Sequence, residues 1–190
     1  MLDQMPAAAE IEPVARGAWI WRAYDPSIKA ELFSTALATS DGVYLIDPIP
    51  LAPDAAGELG KLGQIAAIVV TNENHRRASD QFAGQFRVPI YERALKVEEL
   101  IGIAIDGAAP GEIAILSESD RGTMVIGDAL INFEPYGFAL LPAKYCSNRK
   151  TMHRSLAQLL DYSFERMLFA HGTPIVSGAR QRLEQLLRDC

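Results

Sequence analysis

The chain is short of the features that would commit it to an oxidising compartment, a membrane or a nucleic acid. Of its 190 residues only two are cysteine, Cys146 and the terminal Cys190. They form no Cys-x-x-Cys pair, so two reduced thiols are expected rather than a disulfide framework. No apolar run approaches the ~20 residues that a membrane span requires. The opening Met1-Leu-Asp-Gln-Met-Pro-Ala-Ala-Ala has no basic segment leading into an apolar one, so no signal peptide is expected. Basic residues are in deficit: 18 Lys and Arg stand against 24 Asp and Glu, a net charge of −6. That is a poor match to nucleic acid, whose binding rests on basic side chains displacing counterions. The expectation is a cytoplasmic, soluble protein that binds neither nucleic acid nor membrane.

What is present is apolar residue, 49% of the chain, enough to bury a core. The length suits one sizeable domain, 1–190, with an Ala/Pro/Glu-rich lead-in over 1–16. Alternating aromatic and β-branched residues predict strands over 19–24 and 31–39. Asp41-Gly42 predicts a tight turn into an antiparallel strand, Val43 to Ile46. Pro53 to Leu62 has helical spacing with Pro near its start and Gly63 at its end. A strand over 66–71, a helix over 76–86 and a short strand over 88–91 follow. Residues 94–100 predict a turn or two of helix. Strands at 112–116 and 124–126 predict a hairpin. Helices at 148–162 and 174–187 flank a buried strand at 167–170. No repeat or linker divides the chain. Trp19 and Trp21 share one strand face, equally suited to a core or to an interface between copies in a homo-oligomer.

The most telling segment is Ile68-Val-Val-Thr-Asn-Glu-Asn-His-Arg-Arg-Ala-Ser-Asp80. An apolar run stops at Thr71 and a polar turn leads into a helix. This resembles the signature turn of the metallo-β-lactamase superfamily, where a strand ending in Thr runs into His-x-His-x-Asp-His. Other segments are similar in the same order. Gly42 to Asp47 looks like an early strand ending in Asp. Gly107-Ala-Ala-Pro-Gly111 looks like the Gly-His-Ser-Pro-Gly turn. Gly122 to Leu130 looks like the hairpin that delivers a metal-bridging Asp, and Phe169-Ala-His171-Gly172 like the final strand with its His. The resemblance implies an α/β fold, a four-layered αββα sandwich. It also implies seven metal-site positions: Asn72, Asn74, Arg76, Arg77, Ala108, Asp128 and His171.

Only Asp128 and His171 keep ligand types. Asn amides are weak ligands for transition metals, and a guanidinium stays protonated and repels a cation. The metal centre implied by the resemblance is therefore expected to be vestigial, with no cofactor. Asp128 then needs a counter-charge, expected from Arg76 or Arg77. The same two arginines, beside the N–H groups of the turn 72–77, are the candidates for holding a small anionic ligand. The expected function is a binding or interaction module that has lost metal-dependent hydrolysis. The alternative is a hydrolase with one divalent ion such as zinc, held by Asp128, His171 and either His75 or Glu73. A third class, a metal-free enzyme with His171 as base, lacks an evident nucleophile: Cys146 and Ser147 are not placed beside it by the sequence. His75 and Glu73 are expected in solvent or in the turn, and His153 on an exposed helix face.

Overall fold

The computed structural model describes residues 5–189, so Cys190 lies outside the described residues. The chain divides into two compact units. One comprises the chain up to Val70 with Arg76–Tyr91; the other comprises Thr71–His75 with the chain from Glu92 onward.

The first unit is built on a six-stranded sheet in the order β1-β2-β3-β4-β5-β6. These strands are β1 Glu12–Ala15, β2 Ala18–Asp25, β3 Ala30–Thr39, β4 Gly42–Ile46, β5 Ile65–Val70 and β6 Ile90–Glu92. β2, β3 and β4 form an antiparallel meander, and β4 pairs parallel with β5. The Asp41-Gly42 hairpin is as the sequence predicts, while the lead-in contributes the unpredicted β1. α1 Pro53–Leu59 stops three residues early. The core of this unit gathers Trp21, Leu45, Ile49, Leu59, Ile68 and Phe82. Trp21 is fully buried and its Nε1 donates to the Ile49 carbonyl at 3.0 Å. Trp19 packs on the same core, so both tryptophans serve packing. α2 is Ser79–Phe86 rather than 76–86. Glu73–His75 instead forms one turn of 3₁₀ helix, and Arg77 follows at φ +40°. A right-handed helix does not run through a residue in that region, so α2 starts after it.

The second unit carries a five-stranded sheet in the order β13-β10-β9-β8-β7 and a separate hairpin, β11-β12. Its strands are β7 Lys96–Val97, β8 Leu100–Ala104, β9 Ile113–Ser117, β10 Thr123–Ile126, β11 Leu130–Phe133, β12 Gly137–Leu140 and β13 Arg166–Phe169. The predicted helical turns at 94–100 are replaced by the β7–β8 hairpin. Its two-residue turn is Glu98-Glu99, which lacks the Gly or Asn that marks such turns in sequence. What decides the outcome is the pairing of β8 with β9 along its whole length, which burial of Leu100 and Ile103 accompanies. β9 and β10 form the expected hairpin, and β10 pairs parallel with β13.

α3 Arg149–Gln158 is capped by Asn148, whose Oδ1 accepts from the Thr151 N–H at 3.0 Å. α4 is Ala179–Arg188, shorter than 174–187 predicts. Ile175 exchanges both main-chain bonds with Met167, and Gly178 takes φ +63°, so the helix begins only after them. Met152, Leu156, Leu183 and Leu187 bring α3 and α4 into one core with Leu116, Met124, Ile126 and Phe169. Among the described residues no helix is long and apolar enough to cross a membrane.

Candidate functional site

Strand ends of the second unit and the turn Thr71–His75 bring a polar cluster together. Asp128 follows β10, His171 follows β13, and Glu112 immediately precedes β9. The 3₁₀ turn points His75 inward. It is 3% exposed, against the expectation of a solvated turn histidine. His75 Nε2 lies 3.2 Å from Asp128 Oδ1 and His171 Nε2 lies 3.5 Å from the same oxygen. The two rings stand 5.4 Å apart, tilted by 59°. One ligand atom from each of His75, Asp128 and His171 lies within 4.8 Å of the others.

Beneath this triad sits Asn72, 2% exposed. Its Oδ1 accepts from the Asn74 N–H at 2.9 Å, an Asx turn that fixes which way the amide faces. Its Nδ2 therefore points to Glu112 Oε2 at 2.7 Å, Asp128 Oδ2 at 3.2 Å and His75 Nδ1 at 3.3 Å. Thr71 Oγ1 stands 2.9 Å from the same His75 nitrogen. Both neighbours of Nδ1 can donate, and the amide can do nothing else. The two hydrogens of that amide are taken up by the two carboxyl groups, so Thr71 Oγ1 is left as the partner of Nδ1, able to donate to it or accept from it.

Glu112 is the residue that sequence reasoning missed. Its Oε1 accepts from the Ala129 N–H at 3.1 Å and its Oε2 from Asn72. Burial first, and then the nearby Asp128 charge, push its carboxyl up to about 8, against the lowering effect of His75, Ala129 and Asn72. At neutral pH it is mostly the uncharged acid. Gly127 completes the packing: a Cβ there would lie 2.7 Å from both Glu112 Oε1 and Thr71 Oγ1, so only glycine lets these groups close over one another. Glu112 also reaches the wall of a pocket of about 460 Å³ lined by Arg93, Asp106, Gly107 and Ser147. The only sequence signal for this acid was its place after Gly107-Ala-Ala-Pro-Gly111.

The remaining predicted positions lie as follows. Ala108 is buried among apolar residues. Asn74 and Glu73 are exposed, and Glu73 pairs with Arg93. Arg76 forks onto Asp80, with Nε at 2.8 Å and Nη2 at 2.6 Å from its carboxylate oxygens. Arg77 donates to the main-chain carbonyls of Phe33 and Asp47. His153 is half-buried rather than exposed, its Nε2 2.9 Å from the Leu187 carbonyl oxygen, because α3 lies against α4. Cys146 donates its thiol to the Leu141 carbonyl at 3.3 Å, and burial raises it, so it is not a poised thiolate.

The donor set decides which metals these residues suit. Two ions held in the family manner do not fit: five of the seven positions carry amide, guanidinium or methyl groups. One ion fits the chemistry of two imidazoles and a carboxylate. It would need His75 Nε2 free of a proton, with Nδ1 protonated and facing the Asn72 donor.

Comparison with known proteins bears on the fold. Several solved metallo-β-lactamases superpose on nearly the whole chain. For DIM-1 metallo-β-lactamase exposed to ceftazidime, the TM-score is 0.70 at 10% identity, covering 98% of this chain and 99% of that one. The enzyme from Pontibacter korlensis gives 0.70 at 11%, covering 95% and 99%. FIM-1 from Pseudomonas aeruginosa, in its mono-zinc form, gives 0.65 at 12%, covering 98% and 97%. Identities this low speak to the fold alone. No curated protein matches the sequence. The mixed α/β fold is that of these enzymes, and residues 15–107 match the profile of the metallo-beta-lactamase superfamily.

Proposed function

We propose that this protein has given up the two-metal hydrolysis of the superfamily it resembles and works as a binding module. One observation carries the reading: the amide of Asn72, at a metal-ligand position, donates into the centre where a cation would sit. It donates to both Glu112 and Asp128, which uses its two hydrogens. The cluster is supplied with its own hydrogen bonds, as a structural polar network is. The test is turnover. The protein, incubated with zinc, iron(II) or manganese(II), is expected to show no metal-dependent hydrolysis of ester, thioester or phosphodiester substrates. Metal-dependent turnover that disappears in His171→Ala would refute the reading.

The convergence of His75, Asp128 and His171 favours a second reading, a hydrolase with one divalent ion. Thr71 Oγ1 would then accept from His75 Nδ1, turning Nε2 toward the ion. Such an ion would supply Lewis acidity toward a carbonyl or phosphoryl oxygen. Zinc titration followed by calorimetry separates the two readings. One equivalent bound, and bound roughly 10–100-fold more weakly in Thr71→Val, would favour the second reading. No saturable binding would favour the first.

A further inference from the structure

The chain as a whole is acidic, yet one stretch is not. Between Glu134 and Asp161 there is no acidic side chain, while Lys144, Arg149, Lys150 and Arg154 are all basic. Outside that stretch 14 basic residues face 24 acidic ones. The structure gathers most of this charge at one place. Leu140, Arg149, Lys150, His153 and Arg154 line a groove of about 760 Å³, within the range that holds small organic ligands.

Three features describe what this groove would take. Its floor is apolar: Leu140 is 8% exposed and sits with the long alkyl stems of Arg149, Lys150 and Arg154. Its cations have no carboxylate partner: among the described residues neither Arg149, Lys150 nor Arg154 is in an ion pair, and the Arg154 side chain donates only to the Thr151 hydroxyl at 3.3 Å. Its charge also runs against local stability. Arg149 and Lys150 occupy the first turn of α3, where no acidic residue stands, and cations at the positive end of a helix are unfavourable. Arg76 and Arg77, by contrast, already have partners in Asp80 and in the Phe33 and Asp47 carbonyls.

We propose that this groove binds an amphiphilic organic anion, a hydrocarbon or aryl body carrying one phosphate or carboxylate group. The proposal deepens the binding-module reading by naming the ligand class and moving its site to α3. A long polyanion is disfavoured, because the acidic remainder of the chain would repel it beyond the groove.

The experiment is calorimetric titration of the full chain with decyl phosphate below its aggregation limit, beside inorganic phosphate and decanol. Decyl phosphate is expected to bind one equivalent, at least tenfold more tightly than either control, and less tightly as salt rises. The double variant Arg149→Glu, Lys150→Glu is expected to lose tenfold or more in affinity while still melting cooperatively. Arg76→Ala, outside the groove, is expected to stay within twofold of the parent. Equal affinity in the charge-reversed variant, or no saturable binding, overturns the proposal. So does binding to phosphatidylglycerol vesicles without binding to the monomeric amphiphile, which would make the face a membrane contact. Failure here, with hydrolysis still absent, removes the groove alone. Metal-dependent turnover removes the binding-module reading and leaves the groove standing.

Discussion

Two regions of the second unit handle charge in opposite ways. Around Asp128 each polar group is met: two imidazoles on one carboxylate oxygen, an amide on the other, a backbone N–H and the same amide on Glu112. Along the start of α3 the cations face solvent, with no acidic residue in the first helical turn. A buried charge must be answered or neutralised, and here the answer is internal. An exposed charge needs no internal answer, and on the proposal above a ligand's anionic group would meet it. The contrast sets a centre whose polar groups answer one another against a surface whose cations have no carboxylate partner among the described residues.

The largest expected effect comes from the residue against which the start of α3 is seated. Gly107 takes φ +90°, and a Cβ there would lie 2.3 Å from the Asn148 carbonyl oxygen and 2.4 Å from the Met152 nitrogen. Gly107→Ala should therefore destabilise by roughly 3 kcal/mol, from backbone strain and a collision with the start of α3. Urea unfolding measures it; a change within 0.5 kcal/mol would mean that α3 is not seated on this turn.

The next effect belongs to the centre. Asn72→Leu removes the donor shared by Glu112 and Asp128 and leaves buried acceptors unmet, a cost of about 2 kcal/mol. A neutral result by the same measurement would show that the amide is not what organises the cluster.

The Glu112 carboxyl gives a pH signature. Its pKa rises from 4.5 to about 8 on folding, so the folded state holds a proton there that the unfolded state has released. Stability from this group is fully present below about 4.5 and is lost as pH climbs through about 8. Unfolding midpoints should fall from pH 5 to pH 8 in the parent. In Glu112→Gln the fall should be much smaller, even if the midpoint itself drops because the amide cannot accept both bonds. Parallel slopes in the two proteins would show that Glu112 is ionised in the fold.

The smallest effect has the opposite sign. Arg149→Glu places an acid in the first turn of α3, where the helix dipole favours it, and should stabilise by about 0.3–1 kcal/mol. Thermal melts read this directly. A loss of stability would mean that Arg149 supports the fold, and would blur the contrast between the two regions.

Much of the fold was legible in the sequence because it rests on local signals. The Asp41-Gly42 turn set the hairpin of β3 and β4, and the apolar spacing at Met152, Leu156 and Leu159 announced α3. The β7–β8 hairpin was not legible, since its turn is Glu98-Glu99 and its pairing with β9 is tertiary. At the site, Asp128 and His171 were singled out from their motifs, and the structure brings His171 Nε2 to 3.5 Å from an Asp128 oxygen. His75 was not readable as a buried group, because one 3₁₀ turn, invisible to helical spacing, decides where its ring goes. Glu112 depended on burial, a property of packing that no single motif records.

Native mass spectrometry of the full chain under rising zinc tests the central claim most directly. The account predicts that no species with two saturably bound zinc ions appears. It expects the metal-free form to dominate, with His75, Asp128 and His171 converging closely enough for a single ion. A discrete two-zinc species that forms stoichiometrically, is lost in Asp128→Ala and hydrolyses a model ester would contradict it.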